Sequence, residues 1–204
     1  MRVLPSLAAI AALALMAACS TPAMQDDVAA AEQMSLAEQP PMRWDERRGS
    51  DEWTRATLAA LDREGVTMLS NVPADISEFC PNYRQLAEPG RKAFWAGLLS
   101  AVAKHESTYN PQAAGGGGRW LGLMQIAPAT WRHYGCSGNI KDGADNAACA
   151  VKIMSRQVGR DNAVARDGSG WRGVARDWAP MRNASKRADI AAWTSSQSYC
   201  APRA

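Results

Sequence analysis

Residues 101–126 read AVAKHESTYNPQAAGGGGRWLGLMQI. The segment before the turn, GRKAFWAGLLSAVAKHES (90–107), places Phe94, Leu98 and Val102, with Trp95 and Leu99, on the period of a core helix. Asn110 precedes Pro111 and is thereby disfavoured from helical geometry, so this helix should end near Glu106–Tyr109. Such a helix would hold the Glu106 carboxyl rigidly at the rim of the core. Partial burial disfavours the ionised form and raises the pKa. A carboxylic acid that stays protonated near neutrality is what a departing glycosidic oxygen needs. Beyond the turn, the glycines at 115–118 let backbone approach a ligand closely. LGLMQI then returns an apolar segment with one amide, Gln125, which must find a partner in the protein or in a substrate.

Each of these residues also has a plainer reading. Glu106 by itself is an ordinary helix-end acid, Ser107 a capping hydroxyl, Gln125 a core amide bonded to backbone, and Met124 packing. The pieces gain meaning in combination. HESTYNP, GLMQIAPATW and DNAACAVKIM, taken in that order, resemble the soluble lytic transglycosylase family, whose fold is that of goose-type lysozyme. The resemblance spans roughly residues 93–158. It implies a mainly α, lysozyme-like catalytic domain. It also implies cleavage of the β-1,4 bond between N-acetylmuramic acid and N-acetylglucosamine in peptidoglycan. The acid/base role falls on Glu106, substrate positioning on Ser107 and Gln125, and the cleft lining on Met124. Asn146 matches an asparagine with a structural role. No cofactor or metal is implied.

One family motif departs from the pattern. A later Tyr-Asn-Ala-Gly normally points its tyrosine at the acid, but this chain has no tyrosine between Tyr134 and Tyr199. Aligning Ala179-Pro180 with the family's Gly-Pro places Arg176 at the tyrosine and Asp177 at the asparagine, while a looser alignment substitutes Trp178. An arginine facing Glu106 would lower the pKa of the acid.

Hydrolytic glycosidases usually use two carboxylates. Between Ala101 and Tyr134 there is one, Glu106. With one carboxylate, the resemblance implies that the substrate supplies the nucleophile: the C6 hydroxyl of muramic acid attacks its own C1 and leaves a 1,6-anhydro ring. Asp142 or Asp145 could supply a second carboxylate, and a hydrolytic muramidase is then the alternative. A peptidoglycan-binding lipoprotein without activity is the alternative outside catalysis. Flat aromatic faces pack on sugar rings, which makes Trp120 and Trp178 the candidates for glycan contact among the eight tryptophans, with Tyr109 in or beneath the cleft.

The first segment, MRVLPSLAAIAALALMAACS, has one arginine, an apolar run at 7–18 and a cysteine after Ala-Ala. The run is too short for a spanning helix and fits an export signal over residues 1–18. MAAC resembles a lipobox, with Cys19 lipidated; an ordinary cleaved signal is the alternative. The expected location is the periplasmic face of a bacterial membrane, and Ser20 favours the outer one. Residues 19–52, rich in Gln, Pro, Ala and acid, read as a flexible tether, with the catalytic domain at 53–204.

In an oxidising compartment the remaining cysteines form a disulfide set. Four cysteines allow three connectivities, of which Cys136–Cys149 with Cys80–Cys200 is favoured. No Cys or His spacing suggests zinc, and HExxH is absent. Over residues 53–204 there are 19 Lys and Arg against 12 Asp and Glu, a basic surface suited to an anionic wall or lipid headgroups rather than to nucleic acid. Helices are further expected in EWTRATLAALDREG, APATWRHYG, ADNAACAVKIMSRQVG, GWRGVARDWAPMRN and SKRADIAAWTSS, and a loop in NVPADISEFCPNY.

Overall fold

The computed structural model describes residues 39–201. The export signal, the tether up to residue 38 and Cys19 lie outside the described residues. Among the described residues seven helices follow in order: α1 (Ser50–Glu64), α2 (Val66–Ser70), α3 (Ile76–Phe79), α4 (Glu88–Glu106), α5 (Pro128–His133), α6 (Gly143–Asp161) and α7 (Ala184–Ser195). Short 3-10 turns occupy Tyr83–Gln85, Gly173–Arg176 and Ala179–Arg182. A two-stranded antiparallel ribbon, β1 (Ala114–Gly115) and β2 (Trp120–Leu121), sits between α4 and α5.

Helix α4 is the axis of the domain. Pro89 opens it, where a missing N–H costs nothing. Every residue from Ala93 to Ala103 is buried, so the helix is enclosed on all sides rather than amphipathic. It ends where the sequence predicts: the Ser107 N–H donates to the Ala103 carbonyl, and Thr108 and Tyr109 then take positive φ values of 54° and 63°. Helix α6 packs along α1. Its first turn is capped by Asp142, whose Oδ1 accepts from the Ala144 and Asp145 N–H groups at 2.9 and 3.0 Å. Asn183 caps α7 by accepting from the Lys186 N–H at 3.0 Å.

Both favoured disulfides are present. Cys136–Cys149 ties the loop after α5 to α6, and Cys80–Cys200 joins the end of α3 to the C-terminal segment across 120 positions.

The domain starts earlier than residue 53. Met42 and Trp44 are buried in the same core as α4, and Trp44 Nε1 donates to Thr54 Oγ1 at 2.9 Å. The Arg43 N–H donates to Ser100 Oγ of α4 at 2.9 Å. The stretch 39–52 is therefore part of the packed unit; its two large apolar side chains outweigh the polar composition that reads as tether. Three local expectations also change. Val66–Ser70 forms a helix directly after Gly65, Ile76–Phe79 makes a helical turn inside the expected loop, and residues 173–182 form two 3-10 turns rather than a helix.

Candidate active site

Glu106 is the last residue of α4 and is half-buried. Burial pushes its carboxyl up to about 7, against the pull of the Lys186 and Arg182 cations from α7 and the turn before it. A group at that value holds its proton about half the time at neutral pH, which suits it to donate and then recover a proton. The neighbouring residue fixes the helix end. His105 Nε2 lies 2.7 Å from Asp189 Oδ2 on α7, and the same carboxylate takes both Arg43 guanidinium nitrogens at 2.7 and 3.0 Å. Lys104 Nζ is 3.5 Å from it. The Arg43 guanidinium, followed by the His105 hydrogen bond, holds the Asp189 carboxyl well below the usual carboxylate range, although burial works the other way.

The GLMQ segment is built on Asn146. That buried side chain accepts from the Met124 N–H at 2.7 Å and donates to the Ile140 and Leu121 carbonyls at 2.7 and 3.3 Å. Gly122 makes this possible. It has φ +80°, and a Cβ there would sit 2.3 Å from both Asn146 Nδ2 and the Ile140 carbonyl. Asn146 thus has a structural role.

The sequence-derived site residues divide into two groups. Trp120, Gln125 and Trp178 meet in one cavity of about 160 Å³, which Thr130, Arg176 and Asp177 also line. Trp120 is 43% exposed, with the Arg119 guanidinium 4.8 Å from its ring centre. Trp178 is almost fully buried and donates its indole N–H to the Met124 carbonyl at 3.1 Å. Gln125 Nε2 donates to the Gly122 and Ala113 carbonyls at 2.9 and 3.3 Å, so half of its amide is spent on the loop.

Three residues take the plainer of the two roles that the sequence allows them. The Met124 side chain is fully buried in the core and does not line a cleft. Tyr109 is 8% exposed beneath the Arg47 guanidinium, 5.1 Å from its ring, and therefore packs under the site. Ser107 Oγ accepts from the Asn110 N–H at 3.2 Å and closes the turn after α4.

The structure also decides between the charges that the sequence left open. Arg176 is paired with Asp161, and Lys186 and Arg182 are the cations that act on Glu106. Asp142 caps α6, and Asp145 Oδ2 accepts from the Asn139 N–H at 2.7 Å, so both carboxylates are committed to loop structure. Residues missed by sequence reasoning are Arg182, Lys186 and Asp189. Their spacing along α7 and the turn before it is a weak helical-face signal with no motif attached. Arg182 also connects the two parts of the site: it donates to the Ala175 and Arg176 carbonyls at 2.5 and 3.1 Å, directly before the cavity residue Asp177.

The transglycosylase SLT domain model matches residues 86–174, from the start of α4 to the turn that carries Val174. Among solved structures, a Glu-to-Gln mutant of Bd0314 DslA is 30% identical, with a TM-score of 0.72, covering 79% of this chain and 98% of that one. Wild-type Bd0314 DslA (form 2) is likewise 30% identical at a TM-score of 0.72, covering 80% of this chain and 100% of that one. No curated protein matches the sequence. The shared domain carries glycan-cleaving, lytic-transglycosylase-like activity with peptidoglycan glycan as substrate class. On the matched helix, ribbon and Asn146-centred segment, this chain belongs to the SLT transglycosylase family.

Proposed function

We propose that the protein is a peptidoglycan lytic transglycosylase with Glu106 as its single acid/base. The observation that carries this reading is the half-buried Glu106 carboxyl at the end of an enclosed helix, where burial pushes it up to about 7. In the first step the protonated carboxyl gives its proton to the glycosidic oxygen as the C1–O bond of muramic acid breaks. In the second, the carboxylate takes the proton of the C6 hydroxyl as O6 bonds to C1, closing the 1,6-anhydro ring. No water is consumed and Glu106 ends protonated, ready for the next turnover. The Trp120 face and the free carbonyl end of the Gln125 amide would hold the sugars of the strand on one side of the bond, with the buried Trp178 packed beneath them.

A hydrolytic reading is favoured by one observation. Asp177 lines the cavity with Trp120 and Gln125, and desolvation raises its carboxyl above the ordinary range despite the hydrogen bond from Gln157. It is the carboxylate to suspect if water is activated. Export through the first 18 residues, lipidation at Cys19 and a place on the periplasmic face of the outer membrane are part of the same proposal.

The test is the mass of soluble products released from purified sacculi by the protein and by Glu106→Gln. Anhydromuramic ends, lighter by one water than reducing ends and absent with the variant, support the transglycosylase. Reducing ends abolished by Asp177→Asn would move the assignment to a muramidase. Binding to sacculi with no soluble product from either protein would leave a wall-binding lipoprotein.

A further inference from the structure

A second cavity, of about 430 Å³, is lined by the ends of α1 and α5, by α2 and by α6. Its walls carry His133, Tyr134, Lys152, Ser155 and Arg156, with Glu64 opposite. None of these side chains has a part in the chemistry at Glu106. Two features mark the cavity as made for an anion. The first is charge. Glu64 stands 3.7 Å from Lys152 as a loose pair, and Arg156 has no ion-pair partner among the described residues, so the walls carry surplus positive charge.

The second feature is an orphan. Ser155 is 7% exposed, and its Oγ is the one buried side-chain polar atom without a hydrogen bond among the described residues. A helical serine either points to solvent or bonds the carbonyl one turn back, and Ser155 does neither. Leaving the hydroxyl unpaired is unfavourable and singles the position out.

The cavity also communicates with the cleft. Gln157 Nε2 donates to the Tyr134 hydroxyl at 3.2 Å and to Asp177 Oδ2 at 2.6 Å. Tyr134 lines this cavity and Asp177 lines the one with Trp120 and Trp178. One amide therefore bridges the two walls.

We infer that this cavity binds a carboxylate of the acidic peptide carried by the muramic acid of the strand. Lys152 and Arg156 supply charge-assisted hydrogen bonds, the buried Ser155 hydroxyl turns out of the wall to gain an acceptor, and Glu64 gives up Lys152 to the ligand. The inference rests on the proposed action on peptidoglycan, because that polymer brings sugar and acidic peptide together.

The test separates peptide binding from cleavage. The full chain is titrated calorimetrically with the free tripeptide Ala-γ-Glu-diaminopimelate, beside the double variant Lys152→Gln/Arg156→Gln and the single variant Glu64→Gln. Thermal melts confirm that each is folded. The double variant should lose affinity about tenfold or more, the loss expected when charge-assisted hydrogen bonds are removed. Glu64→Gln should bind more tightly, an outcome that a merely structural role for the pair would not produce. In turnover, the double variant should raise KM on intact sacculi and leave rates unchanged on glycan strands stripped of peptide by an amidase. Equal peptide affinity in wild type and double variant, or equal losses on both substrates, would overturn the inference. So would inorganic phosphate competing as well as the peptide, which would make this a general anion site. If the tripeptide titrations follow the pattern while neither substrate is cut, the peptide site stands and the assignment of activity fails.

Discussion

His105 Nε2 lies 2.7 Å from Asp189 Oδ2, and this contact fixes the helix end that carries Glu106. Asp189 gathers Arg43 from the N-terminal segment and Lys104 from α4 on the same carboxylate. One acid on α7 thus holds together the two segments that meet behind the site.

Asp189→Ala should destabilise the fold by about 1 kcal/mol, because the carboxylate is 38% exposed and solvent screens part of its attraction. The folded pKa of Asp189 is depressed, so its stabilisation is present above the ordinary carboxylate pKa and is lost as pH falls through the folded value. Urea unfolding at neutral and acid pH should therefore separate wild type from variant at neutral pH and bring them together in acid. Activity should fall through kcat, since the contact positions the acid and does not touch substrate.

The raised pKa of Glu106 has the opposite sign. Its folded value of about 7 lies above its ordinary 4.5, so the carboxyl favours the fold below the ordinary value and opposes it as pH rises through 7. Glu106→Gln should abolish cleavage and raise stability at pH 8 by about 1–2 kcal/mol after allowance for solvent, with little gain at pH 4. Thermal melts across that range check the sign. In the wild type, kcat should decline on an alkaline limb centred near 7.

That limb should respond to the cations on α7 and not to Arg176. Lys186→Gln removes a charge that lowers the Glu106 pKa and should move the limb upward by about half a pH unit. Arg176→Gln should leave the limb in place, because its guanidinium is held by Asp161. A pH–rate profile of the two variants decides between the facing arginine that the sequence alignment allows and the arrangement in the fold.

Asn146→Ala should cost about 2–3 kcal/mol, since it leaves the Met124 N–H and the Ile140 carbonyl without their buried partner, while the Leu121 carbonyl keeps the Ile126 N–H at 2.9 Å. The Met124 carbonyl would still accept from Trp178. The loss should therefore fall on the segment after the ribbon, and amide exchange at Met124 should accelerate more than at α4.

Much of this arrangement is legible in the sequence. The apolar period of 90–107 marks α4, and Asn110-Pro111 marks its end, because both act within a few residues. The short Cys136–Cys149 loop, 13 positions long, is local in the same way, whereas Cys80–Cys200 spans 120 positions. What lies between elements distant in the chain is not legible. Trp178 meets Met124 across 54 positions, and Arg43 meets Asp189 across 146. Such pairings depend on how α4, α6 and α7 stack, which no local pattern encodes.

By itself the sequence determined a mostly helical domain, an acid at the end of its central helix, and the family to which that acid belongs. These follow from periodicity, proline and glycine punctuation and contiguous motifs, all of which act over short range. Only the tertiary structure decided that residues 39–52 complete the core, that Met124 and Tyr109 pack beneath the site, and that Lys186 and Arg182 rather than Arg176 act on Glu106. The physical reason is that burial and Coulomb attraction depend on distance through space.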